Sequence, residues 1–196
     1  MDILTALGGI GSAFGLSTSA GLNAYIPLLI VSLAARFPSN QPLLQLNAPY
    51  DIMGSWWVIG LLAVLLLVEV LVDKIPAVDT VNDLVQTFVR PAAGAILFAA
   101  NADIITDVSP ILALGCGLLV AGGVHMTKGA ARPVVTASTA GTGNWFVSLL
   151  EDIAAVAISI LAILIPIILT ILILGVIVYF VLFFWRRRQK VGKPAY

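Results

Sequence analysis

Apolar residues run through this chain in long blocks, and the polar strings that interrupt them set the elements. Ile3 to Leu16 and Ala24 to Ala35 are apolar arms on either side of STSAGLNAY, Ser17 to Tyr25. Together the arms exceed one straight crossing of a hydrocarbon core, and with Gly15, Gly21 and Pro27 among them they predict a helix that breaks at the string. Phe37 to Ser55, carrying Pro38, Pro42 and Pro49, predicts a loop, after which Trp56 and Trp57 mark a membrane interface where indole rings settle. Trp56 to Val72 is the clearest spanning segment; it holds Glu69 and runs into DKIPAVD, where Pro76 stops or bends the helix. Val78 to Val89 is amphipathic. Asp79, Asp83, Gln86 and Arg90 recur at steps of four, three and four, which at about 100° per residue is one narrow stripe, opposite Val81, Leu84, Val85 and Phe88.

Arg90 to Ala100 continues as a crossing rich in small residues, and NADIITDVSP predicts a short turn with Asp103 and Asp107. Ile111 to Val124 returns with Gly115, Gly117, Gly122 and Gly123, which let helix backbones approach closely. His125 to Trp145 reads as a long polar, Gly-rich interruption. Val147 to Trp185 is too long for one crossing at about 1.5 Å per residue, so Pro166 predicts a tight hairpin between two helices.

Composition turns this pattern into a class. Of 196 residues, 60% are hydrophobic and 10% charged, with a mean hydropathy of +1.08, outside the range of soluble domains. The expectation is an all-α, polytopic helical membrane protein with about six membrane segments. It is one transmembrane domain, residues 1–185, with halves of about 1–101 and 102–185, followed by a basic cytoplasmic tail, 186–196. Net charge is zero, which gives no support for nucleic-acid binding. The string SLAA, Ser32 to Ala35, resembles a signal-peptide cleavage site. Asp2, the lack of a basic flank and an apolar stretch longer than the usual ~7–15 residues argue for keeping the segment.

Arg186, Arg187, Arg188, Lys190 and Lys193 hold the C-terminus in the cytoplasm by the positive-inside rule. Counting back puts Lys128 and Arg132 inside, Asp103 and Asp107 outside, Lys74 and Arg90 inside, and the Pro-rich loop outside with Arg36 alone. Both termini are then cytoplasmic, unless the N-terminal arms form a re-entrant hairpin and carry the N-terminus across.

The string ASTAGTGNW, Ala137 to Trp145, nearly repeats the first one. Two pseudo-repeated halves with interrupted or re-entrant helices point to a central path, because freed backbone groups in a bilayer survive only inside protein or beside a watery cavity. The competing reading is helix packing by small and hydroxyl side chains. The candidate lining is Ser17, Thr18, Asn23, Gln86, Ser138, Thr139 and Asn144, and the candidate charges are Glu69, Asp79, Asp83, Arg90 and Glu151, with Arg90 as counter-charge to the carboxylates. Lys128 and Arg132 are assigned to a solvated rim. His125, the one histidine, has the chemistry of a pH switch but is assigned to the interface without that role. The lone Cys116 reads as an inert thiol. No His/Cys cluster supports a metal or cofactor, and no GxSxG, HExxH or Walker string supports an enzyme.

GLSTSAGLNAYIPLL, DKIPAVDTVNDLVQTFVRPAAGA and ARPVVTASTAGTGNW together resemble a bacterial family of small polytopic membrane proteins catalogued as a domain of unknown function. The resemblance implies a shared fold and supplies no substrate or catalytic residue. The functional expectation is a transporter or channel for a small polar or ionic solute in the bacterial inner membrane. The alternative is a scaffold, lipid-binding or lipid-flipping protein. Lipids and a small solute are the expected partners, with homo-oligomerisation allowed by the Gly-rich faces.

Overall fold

The computed structural model describes residues 3–72, 76–139 and 143–164, with 172, 176 and 179; the side chains of 3–6, 76–81, 83, 103 and 104 lie outside that description. The regular elements among the described residues are helical. They are α1 (Ile3–Leu22), α2 (Tyr25–Arg36), α3 (Trp56–Val72), α4 (Pro76–Asn101), α5 (Asp103–Val108), α6 (Pro110–Thr139) and α7 (Gly143–Leu164), with a 3-10 turn at Tyr50–Gly54. The predicted Pro166 hairpin and the basic tail lie outside the described residues.

The first break falls later and is tighter than the sequence pattern suggests. α1 stays helical through Ser17, Thr18, Ser19 and Gly21, and only Asn23 and Ala24 separate it from α2. Across that break the chain reverses. Ser12 bonds to Ala162 and Ser19 to Ala155, so α1 runs antiparallel to α7. α2 instead runs with α7: Asn23 meets Asp152, while Ile30, Leu33 and Phe37 lie beside Ile160 and Leu164. α1 and α2 are therefore the two arms of a helical hairpin with Asn23 and Ala24 at its tip, rather than one continuous interrupted helix.

Two other expectations are corrected. The polar stretch after Val124 does not interrupt α6, which continues through Pro133 to Thr139. Its hydroxyls bond back to their own helix, Thr127 to Gly123 O, Thr136 to Arg132 O and Thr139 to Val135 O, so they do not compete with the helical ladder. The turn after Asn101 is a short helix, α5, with Thr106 Oγ1 donating to Ala99 O.

Packing is closest where α1, α4 and α6 cross. A Cβ at Gly94 would overlap Ala121 and stand 2.8 Å from Gly117 O; one at Gly21 would stand 2.6 Å from Ala121 O. The outer faces are apolar. Ile111 is 82% exposed, Leu119 72% and Phe88 73%. α6 and α7 are long and apolar enough to cross a membrane, yet only 17% and 22% of their most apolar stretches are buried. Core helices of a soluble domain bury that surface; here Ser, Asn, Glu, Gln and Arg occupy the interior, an arrangement consistent with a membrane protein.

Candidate functional site

The hairpin tip ends in a layer of buried polar side chains. At the tip, Asn23 is 1% exposed and uses both ends of its amide. Its Oδ1 accepts from the backbone N–H of Tyr25 and of Ile26, at 3.0 and 3.1 Å, satisfying two of the orphan donors that open α2. Its Nδ2 donates to Asp152 Oδ1 at 2.9 Å. The last carbonyl of α1, Leu22 O, accepts from Lys128 Nζ at 3.2 Å. Both strands of the break are thus satisfied by side chains, the condition for placing irregular backbone away from water.

Two ion-pair groups flank the tip. In the first, Arg90 Nη2 donates to Glu69 Oε1 at 3.2 Å, with both side chains 1% exposed. Arg90 Nη1 lies 3.3 Å from His125 Nδ1, and His125 Nε2 lies 3.2 Å from Thr87 Oγ1. A guanidinium has only donors, so a hydrogen bond at this contact requires Nδ1 as the acceptor, the neutral tautomer whose proton sits on Nε2 toward Thr87. Tyr25, the first residue of α2, stands beside Gln86 within reach of Glu69 and Arg90. In the second group, Lys128 Nζ sits 2.6 Å from Glu151 Oε2 without hydrogen-bond alignment, and Arg132 stands 4.0 Å from the same oxygen. Arg90 and Lys128 are near enough to repel, which joins the groups into one layer.

Within that layer Gln86 Oε1 and Arg90 Nε have no hydrogen-bond partner, and Glu151 Oε2 is held by ion pairing without one. Gln86 Oε1, an acceptor, and Arg90 Nε, a donor, belong to residues 1% exposed and four apart on α4. Buried polar atoms without partners are rare, because each forfeits its hydration.

The structure brings Asn23, Glu69, Gln86, Arg90 and Glu151 of the predicted site into this layer. Ser17 is fully buried one to two turns back on α1, its hydroxyl donating to Gly94 O at 2.9 Å. Thr18 is half-buried on the same helix. The second string does not join them. Asn144 pairs with Thr136, Thr139 Oγ1 accepts from Gly143 N–H, and Ser138 donates to Val135 O, all at the exposed junction of α6 and α7. The Asp79 and Asp83 side chains lie outside the described residues.

Sequence reasoning missed His125, Lys128 and Asp152 as members. The signal was present: Ala113, Gly117 and Ala121 mark the inner stripe of α6 at steps of four, and the next steps along it are His125 and Lys128. Among the described residues no group of three or more His, Cys, Asp or Glu is assembled to hold a metal ion. Cys116 is half-buried against the apolar cluster of Ala13, Phe98, Ala99, Ala102 and Ala113.

Residues 10–187 match a family described as a domain of unknown function, DUF4126. No curated protein and no solved structure matches the chain.

Proposed function

The chain belongs to the DUF4126 family, and since that family's description names no activity, we propose from the geometry that it is a multi-pass membrane transporter or channel for a small polar or ionic solute. The guest passes the buried layer at the tip of the α1–α2 hairpin. The observation that carries this reading is the pair Gln86 Oε1 and Arg90 Nε, a buried acceptor and donor on adjacent turns that a polar guest would satisfy. Its setting supports it: an ionised network inside helices whose outer faces are apolar is expensive and marks ion and substrate paths. A hairpin whose tip meets polar side chains has the logic of a broken-helix binding site. The expected home is the bacterial inner membrane. The end of α2 and the loop after it hold only Arg36, whereas Lys128 and Arg132 lie toward the opposite end of the bundle, so the positive-inside rule puts the tip side in the cytoplasm and the start of α1 on the outer side.

A second reading, lipid binding, is favoured by one feature. An open apolar groove of about 460 Å³ lies between the outer half of α2, Leu43 of the following loop and the end of α7, lined by Ile30, Leu33, Phe37, Ile160 and Leu164. Its chemistry suits an acyl chain rather than a polar solute.

Reconstitution separates the two. Proteoliposomes challenged in turn with glycerol, potassium chloride, potassium acetate and glycine are expected to recover volume faster than protein-free vesicles for at least one solute, and to lose that gain in Glu69→Gln. Recovery no faster than bare lipid for every solute, by protein shown to be folded, rejects the conduit.

A further inference from the structure

We propose that the proton is a co-substrate of this conduit and that it binds at Nδ1 of His125, a deepening that rests on the transport reading above. In the structure Nδ1 stands 3.3 Å from Arg90 Nη1, a pairing that requires Nδ1 to be the acceptor. Proton uptake turns its lone pair into an N–H bond, leaving imidazolium and guanidinium face to face with donors only. The Arg90–His125 contact cannot survive that change. Arg90 keeps all its protons and retains Glu69 Oε1 on the other side, so the proton converts Arg90 from a bridge joining α3, α4 and α6 into a partner of Glu69 alone. The link that is lost lies one turn from Lys128, which holds Leu22 O at the hairpin tip.

The surroundings of His125 support a switch at this residue. From α4 it faces Arg90 and Thr87, with Glu69 of α3 on the same guanidinium and Tyr25 of α2 at Gln86 within electrostatic reach of both. Asp79 and Asp83 precede on that stripe of α4. α1 contains no titratable side chain. α7 contributes Glu151 and Asp152, the first held by Lys128 on α6 beside Arg132, the second by Asn23. α5, with Asp103 and Asp107, meets the far end of α6. The ring is half-buried, with Nε2 on the exposed side at Thr87 and Nδ1 on the buried side at Arg90. A metal cation fits this place poorly, since Arg90, Lys128 and Arg132 already stand against the carboxylates.

The single histidine makes the test direct. Full-length protein labelled with nitrogen-15 histidine, in nanodiscs, is expected to show one imidazole at about pH 8 with hydrogen on Nε2 and none on Nδ1, gaining the second hydrogen on acidification toward about pH 5. In Arg90→Gln the opposing charge is gone, and proton affinity is expected to rise about tenfold. An Nδ1–H tautomer at about pH 8, a ring doubly protonated throughout, or an unchanged affinity in folded Arg90→Gln each overturns the proposal; should that variant not fold, the wild-type tautomer and titration decide. A pH gradient across proteoliposomes is expected to alter the flux of the solute that passes. A flux indifferent to the gradient overturns proton coupling and leaves the conduit intact. No flux of any solute, with His125 titrating as described, identifies the conduit itself as the failure and removes the proposal with it.

Discussion

Asn23 and Asp152, 129 residues apart in sequence, are joined by an amide-to-carboxylate hydrogen bond of 2.9 Å that pins the hairpin tip to α7. The same Asn23 side chain caps α2 through two backbone N–H groups. One residue thus fixes both where the chain turns and what the turn rests against.

Asn23→Ala removes the cap and leaves Asp152 without that donor. A lost cap alone costs about 1 kcal/mol, so thermal unfolding in detergent is expected to show a clear drop. Asn23→Asp keeps an oxygen for the cap but sets a second carboxylate against Asp152. The variant is expected to be less stable than wild type and to recover when Asp152→Asn is added. Failure of that second change to restore stability would mean the contact does not hold the tip.

Glycines facing into the α4–α6 crossing and away from it are expected to behave oppositely. Gly94→Ala drives a methyl into Ala121 and toward Gly117 O, backbone and side chain that belong to a tight crossing, at an expected cost of about 1–3 kcal/mol. Gly115 and Gly123 have nothing within 4 Å of an added Cβ. Gly115→Ala and Gly123→Ala are expected to leave stability unchanged or raise it by up to about 1 kcal/mol through helix propensity. Melting temperatures of the three variants in one detergent check the contrast.

This contrast also shows how far the sequence could be read. The break near Asn23, the loop after Phe37, the start of a helix at Trp56 and the shared face of Gln86 and Arg90 on α4 are visible because each depends on local chemistry: turn residues, prolines, indoles and periodicity. What was not visible depends on partners distant in the chain. The hydroxyl of Ser17 read as lining for a path, yet it donates to a carbonyl of α4 and acts between helices, as Ser12 and Ser19 do toward carbonyls of α7. Lys128 read as a solvated rim residue because nothing in its neighbourhood reveals Glu151 or Leu22 O. The two matching strings both mark a junction between helices, but only the first reaches the interior, since the hydroxyls of the second are spent on α6 and on the start of α7.

Lys128 and Arg132 share Glu151 unequally, at 2.6 and 4.0 Å. Lys128→Met also frees Leu22 O, so amide exchange at residues 22–26 is expected to quicken by at least about tenfold, a loss of about 1.4 kcal/mol of local protection. Arg132→Gln is expected to change exchange there far less. Equal effects from both would show that the tip is held by net charge and not by the Lys128 contact.

The Glu69–Arg90 pair decides between conduit and scaffold. Breaking it from one side leaves a buried charge with no counter-ion, expected to cost about 3–5 kcal/mol for Glu69→Leu alone. Replacing both, Glu69→Leu with Arg90→Met, removes two charges of opposite sign from a site where each is 1% exposed, and stability is expected to return to near wild type or above it. If the pair serves packing alone, the double variant is a fully working protein. If it serves a passing solute, the double variant is stable and inert, because the Arg90 Nε donor and the Glu69 carboxylate are gone while the fold is intact. Thermal unfolding and solute flux measured on the same preparation give both answers, and a stable double variant with undiminished flux would exclude this pair from the path.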